Sequence, residues 1–135
     1  MIGSLNGKIE LLDRPFVIVD ISGVGYRVLI ADSIYTKLTI GEKIKLFTFT
    51  YVREDALELF GFLTIEDLKI FENLITVSGI GPKTALNIFS FGGRKEIIEA
   101  IIKGDVDFFT SVPRLGTKNA QKIIIELKNL SALNH

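Results

Sequence analysis

Apolar and polar residues alternate through the first half of the chain, then shift to a helical rhythm. Ile2 to Leu12 alternates loosely, with Gly3 and Gly7 as bend points. After the turn Asp13-Arg14-Pro15 comes the dense β-branched run Phe16-Val17-Ile18-Val19-Asp20-Ile21. Gly23-Val24-Gly25 turns the chain into Tyr26-Arg27-Val28-Leu29-Ile30, and residues 32–42 are a short excursion ending at Gly41. Lys43 to Val52 predicts a long strand, and Leu57 to Phe62 its return. Five strands so close in sequence have edges to hide. A closed or nearly closed five-stranded barrel, OB-like, is the economical solution.

The rhythm changes at Thr64-Ile65-Glu66-Asp67, a capping-box-like helix start. Ile65, Leu68, Phe71, Leu74 and Ile75 follow at helical spacing. Pro82 opens the next helix, where its missing N–H costs nothing, and Gly92-Gly93 breaks it. Residues 94–103 predict a third helix ended by Gly104, and Asp105 to Ser111 a short fourth. Thr117 to Leu130 predicts a fifth, striped by Ala120, Ile123, Ile124 and Leu127. The expected fold class is α+β in two domains. Residues 1–63 form the barrel and residues 64–135 an all-α domain of about five helices. With almost no linker at Phe62–Thr64, the two are expected to pack rigidly.

Within the helical half one pattern occurs twice. Val77-Ser78-Gly79-Ile80-Gly81-Pro82-Lys83-Thr84-Ala85 returns thirty-five positions later as Val112-Pro113-Arg114-Leu115-Gly116-Thr117-Lys118-Asn119-Ala120. The copies agree at Val, at the aliphatic, at the second Gly, at Lys and at Ala, and Ile88 falls on Ile123. An apolar plug (Ile80), a tight glycine turn and a basic helix start make an anion site, because helix N-termini offer N–H groups and a positive dipole end. One such turn alone is an ordinary helix–helix connection with a C-capping Gly. Two copies with Lys at the same offset point to two phosphates at a fixed separation, hence a nucleic-acid backbone. The repeat is a duplicated helix–hairpin–helix unit. Its candidate ligands are Gly79, Ile80, Gly81, Lys83 and Thr84 in the first hairpin, and Arg114, Gly116, Lys118, Asn119 and Lys122 in the second. Arg114 stands where the first copy has Gly79, so a residue with a Cβ tolerates the turn there or the turn differs. Arg114 either contacts a phosphate or is an exposed turn residue.

Charge sharpens this picture. The 135-residue chain has zero net charge, yet residues 1–77 carry a net of −3 and residues 78–135 a net of +3. The positive half is the one with the hairpins. An excess this modest makes binding by one copy weak and salt-sensitive, so several copies acting together are expected. At 47% hydrophobic and 24% charged the chain is globular. It has no Cys, which excludes disulfides and thiolate metal sites. No apolar run is long enough to span a membrane, and no signal-peptide layout opens the chain, which suits a cytoplasmic protein.

Other candidate chemistry is thin. Arg53-Glu54-Asp55-Ala56 caps the two longest strands and so puts two acids at a hairpin tip. Such a tip is commonly just a solvated turn; within a DNA binder it would repel phosphates. Tyr26, Phe47, Phe49, Tyr51, Phe60 and Phe62 could stack on bases, but alternating placement in strands favours the core. The sole His135 is terminal, and no P-loop, G-x-S-x-G or H-E-x-x-H is present. No metal or cofactor is expected. A glycosylase or lyase would need a positioned Lys or Asp; Lys103 and Asp105 lie between the hairpins, outside any recognisable site. A single-strand or duplex DNA-binding module without junction specificity is the alternative.

The whole combination resembles the RuvA family, the Holliday-junction-binding subunit of the bacterial RuvAB branch-migration machine. Met1-Ile2-Gly3-Ser4-Leu5-Asn6-Gly7, Gly23-Val24-Gly25-Tyr26, Val52-Arg53-Glu54-Asp55-Ala56, Leu59-Phe60-Gly61-Phe62 and Gly79-Ile80-Gly81-Pro82-Lys83 all look like its signatures, in order and spacing. The resemblance covers residues 1–130. It implies an OB barrel and a tandem helix–hairpin–helix domain, assembled as a flat homotetramer. One tetramer, or two face to face, would hold an open, square-planar four-way junction during recombination and repair. It implies that Glu54 and Asp55 form an acidic pin near the crossover and that Gly79, Gly81, Lys83, Gly116, Lys118 and Lys122 line the backbone of each arm. It also implies a non-catalytic subunit of an ATP-dependent DNA helicase complex, with the RuvB ATPase as motor and the RuvC resolvase as partner. The family carries a linker and a third helical domain that recruits the motor. The sequence stops before them, so it is expected to bind junctions without coupling to the motor.

Overall fold

A computed structural model describes residues 1–129. The last helix ends at Leu127, short of the expected Leu130; Leu130 and the terminal His135 lie outside the described residues. The chain divides into two compact units after Leu68.

The first unit is the expected barrel. β1 (Ser4–Asp13), β2 (Phe16–Ile21), β3 (Val24–Leu29), β4 (Lys43–Arg53) and β5 (Ala56–Phe62) close in the order β1-β2-β3-β5-β4. All neighbours are antiparallel except β3 and β5. β1 achieves the closure, pairing with β4 through Ser4 to Lys8 and with β2 from Lys8 onward. Gly7 sits where it changes partner. A Cβ there would lie 2.3 Å from the Asp20 carbonyl oxygen, so only glycine lets the strands approach this closely. The excursion after β3 contains one short helix, α1 (Asp32–Tyr35).

The β2–β3 turn lies earlier than expected. It consists of Ser22 and Gly23, with φ of 52° and 92°. Positive φ at both central positions matches the twist of the flanking strands in a two-residue hairpin. The Gly23 N–H donates to Asp20 Oδ1 at 3.1 Å. Val24 and Gly25 therefore begin β3, with Gly25 opposite Asp20. Serine rarely takes left-handed backbone, so nothing in its identity marked this turn.

Inside the barrel, Leu46 and Val28 pack against the space left by Gly61, whose Cβ would stand 2.6 Å from Val28 Cγ1. Thr48 and Thr50 are buried on the same face of β4. Their hydroxyls bind the backbone of Ile2: Thr50 Oγ1 accepts from the Ile2 N–H at 2.9 Å, and Thr48 donates to the Ile2 carbonyl. These bonds tie the chain start to β4, and among the described residues no buried side-chain N or O lacks a hydrogen-bond partner. Of the six aromatic candidates, Phe60 and Phe62 are fully buried, as a core assignment requires. Tyr26, Phe47, Phe49 and Tyr51 are half-buried.

α2 (Ile65–Thr76) runs across the division between the units. Its start is capped as the sequence suggested, with Asp67 N–H donating to Thr64 Oγ1 at 3.1 Å. α3 (Pro82–Phe91), α4 (Arg94–Lys103), α5 (Val106–Thr110) and α6 (Thr117–Leu127) complete the second unit. Gly104 ends α4 in the left-handed conformation, φ 72°, and Asp105 caps α5 by accepting from Phe108 N–H at 3.1 Å. The apolar stripes meet in one core that includes Leu74, Ile88, Ile97, Ile101, Phe109 and Ile123.

Candidate nucleic-acid interface

The two glycine turns have the same backbone. Val77 N–H bonds to Leu74 O, Ile80 N–H to Val77 O and Ala85 N–H to Gly81 O, at 3.2, 3.0 and 3.0 Å. Thirty-five positions on, Val112 N–H bonds to Phe109 O, Leu115 N–H to Val112 O and Ala120 N–H to Gly116 O, at 3.0, 3.1 and 3.0 Å. The residues that begin the two helices agree as well: φ and ψ are −87° and 172° at Gly81, and −81° and 172° at Gly116. Arg114 settles the remaining difference by adopting left-handed backbone, φ 69°, where Gly79 has φ 92°. The second turn thus keeps the shape of the first, at a cost of about 1 kcal/mol for an L-residue there.

Neither N-cap residue, Gly81 or Gly116, supplies a side-chain cap to the helix it begins. Around these helix starts Gly79, Gly81, Lys83, Arg114, Gly116 and Lys118 are exposed, and Thr84, Asn119 and Lys122 are half-buried. Ile80 differs from the rest of the expected set. Its side chain is 5% exposed and its N–H is used by Val77, so it anchors the turn and does not face a ligand. Leu115 does the same in the second copy, at 3%.

The hairpins also touch. A Cβ added at Gly79 would meet Asn119 Oδ1 at 3.0 Å, with the rest of the amide at 3.4 Å. Asn119 lies in the first turn of α6, so the two hairpin turns are side by side, at a separation fixed by packing. Asn119 was expected as a ligand; the structure also makes it a strut between the turns.

In the barrel, Glu54 and Asp55 form the complete β4–β5 turn beyond the last pair Arg53–Ala56, and both are exposed. Arg53 folds away from them, its Nη2 3.2 Å from Glu58 Oε1 and its guanidinium 5.5 Å from the Tyr51 ring centre.

The residues weighed for an enzyme are otherwise engaged. Lys103 Nζ lies 2.7 Å from Glu99 Oε1, one turn away on α4, and Asp105 caps α5. That hydrogen bond lowers the Glu99 pKa and raises that of Lys103. Among the described residues no three or more His, Cys, Asp or Glu side chains are placed to hold a metal ion. No helix among them is long and apolar enough to cross a membrane.

The family model described as "RuvA N terminal domain" matches residues 1–61, and one described as "SAM-like Helix-hairpin-helix tandem" matches residues 71–129. The "Holliday junction branch migration complex subunit RuvA" of Dehalococcoides mccartyi is 42% identical over 135 residues, 99% of this chain and 70% of that protein. This chain belongs to the RuvA family. The RuvA of Halothermothrix orenii is 46% identical over 128 residues, covering 95% of the chain and 66% of its own length. The RuvA of Acetivibrio thermocellus is 42% identical over 130 residues, covering 96% and 64%. The chain thus spans about two thirds of the length of these RuvA relatives. The two family matches fall on the barrel and on the paired hairpins, the two places where the candidate chemistry lies.

Proposed function

We propose that this chain is a non-catalytic DNA-binding subunit that holds four-way junctions; its relatives are named as subunits of a Holliday junction branch migration complex. The observation that carries the reading is the backbone identity of the two hairpins, down to the left-handed Arg114. Two equivalent helix N-termini, each with an exposed Lys in its first turn, suit two successive phosphates of one strand. Gly79, Gly81, Lys83 and Thr84 serve the first, and Arg114, Gly116, Lys118, Asn119 and Lys122 the second. Such contacts position a duplex without reading its sequence, as a junction of arbitrary sequence demands.

The charge balance favours assembly. A net of +3 in the hairpin half is modest for one copy; a homotetramer repeats it around a four-fold ligand, one subunit per arm. In that arrangement Glu54 and Asp55 from each subunit gather at the crossover, repel phosphates and send strands toward the arms. Two such tetramers, face to face, would enclose the junction. Where the family's motor-recruiting domain is present, branch migration would then be driven by the RuvB ATPase, with the RuvC resolvase as a further partner, in the cytoplasm.

Gel-shift titration of a four-way junction against a linear duplex of equal length tests this. The junction is expected to bind far more tightly. Equal affinities would reduce the chain to a general duplex-binding module. Preference for a single strand, lost in Tyr51→Ala, would move the site to the barrel surface. Light scattering with and without the junction tests the tetramer.

A further inference from the structure

We infer that Val52 and Leu57 form an apolar wedge that contacts the faces of the base pairs at the junction crossover. The wedge rests on the junction-binding reading above and adds a second kind of contact to it.

Val52 and Leu57 are directly opposed on β4 and β5, one step before the Glu54-Asp55 turn. They are 67% and 60% exposed. No other directly opposed couple in the described strand pairs consists of two strongly exposed aliphatics. Strand alternation explains how they arise. Thr50 and Leu59, the next pair on the same face, are buried in the barrel at 7% and 4%. The barrel-facing stripe of β4 and β5 therefore continues past the end of the barrel, where nothing within the barrel unit covers it. On the opposite face of the same tip, Tyr51, Arg53 and Glu58 form a polar cluster. The hairpin end thus has an apolar face, a polar face and an acidic edge.

The chemistry of the tip selects the part of DNA it meets. Two carboxylates exclude phosphates, so the backbone cannot approach this edge. Apolar, uncharged DNA surface is confined to base faces, and these are accessible where stacking is interrupted, as at a strand exchange point. Aliphatic side chains of this kind can lodge between base steps, since contact offsets the loss of stacking. The carboxylates would keep the backbones apart while Val52 and Leu57 support the bases so separated.

A four-way junction with 2-aminopurine beside the crossover reports this directly, because the base brightens when it loses its stacked neighbours. The wild-type chain is expected to raise its fluorescence on binding. The variant V52S/L57S is expected to keep junction affinity within about tenfold, as a wedge's contact gains and its unstacking costs largely offset. It should lose most of the fluorescence rise. Both side chains are exposed, so an unchanged thermal midpoint confirms that the variant folds. Crossover thymines should likewise be less open to permanganate with the variant than with the wild type. A rise in V52S/L57S equal to the wild type overturns the wedge. So does a wild type that prefers the junction but leaves the base stacked. A wild type with no junction preference brings down the underlying reading, and this one with it.

Discussion

The two hairpins of the helical unit reach one backbone from different residues. At the first, Gly79 is required twice over: its φ of 92° disfavours any side chain, and Asn119 Oδ1 stands 3.0 Å from where a Cβ would be. At the second, Arg114 occupies the same left-handed region with a full side chain. Its turn is held by the bonds at Val112, Leu115 and Ala120 and by the buried Leu115. The comparison teaches that the glycine signature records local crowding as much as backbone conformation. The conformation itself can be imposed on arginine when the flanking helices over-determine it.

The largest effect expected from this difference is at Gly79. Gly79→Ala should cost about 2 kcal/mol in urea unfolding, from left-handed backbone and contact with Asn119 together. Asn119→Ala in the same chain should restore part of that loss, and a strictly additive double mutant would contradict the contact. Arg114→Ala, by contrast, should change stability by no more than about 0.5 kcal/mol, since it already has a Cβ in that conformation.

Next in size is the acidic tip. Glu54→Gln with Asp55→Asn should preserve or raise junction affinity by removing repulsion, while the path of the strands at the crossover changes. A large loss of binding would remove the repulsive role. Arg114→Gly comes after. It should stabilise the fold by up to about 1 kcal/mol by relieving the left-handed arginine. If Arg114 holds a phosphate, the same change lowers junction affinity and flattens its salt dependence; unchanged binding would leave it a turn residue only.

The smallest effect is at the surface pair on α4. Glu99 is held below its usual pKa by Lys103, so its stabilising contribution exists above the unfolded carboxylate pKa and fades as pH falls. Both groups are fully exposed, so screening leaves little to lose. Glu99→Gln should leave the thermal midpoint at neutral pH almost unmoved.

Much of this was legible in the residues. The strand rhythm, the break at Thr64, Pro82 as a helix start and the thirty-five-residue repeat are local patterns that the fold preserves. The conformation of Arg114 was not legible, because a repeat shows equivalent positions and not their φ. Ser22 hid the β2–β3 turn for the same reason. Closure through β1, and Asn119 lying against Gly79, depend on contacts between distant segments, which no local pattern encodes. The burial of Ile80 was legible from its plug position, which conflicts with counting it as a ligand. Val52 and Leu57 were missed, although a signal was present. Both flank the acidic pair symmetrically, and both fall in the barrel-facing register beyond where the barrel ends.

The equivalence of the hairpins is tested most directly by paired salt titrations of Lys83→Ala and Lys118→Ala on one four-way junction. Each lysine is assigned one phosphate per subunit, so each variant should flatten the dependence of log affinity on log salt by the same amount, about one unit of slope per contact removed. A slope flattened by Lys83→Ala and untouched by Lys118→Ala would contradict the account, leaving the second hairpin a structural copy that holds no DNA.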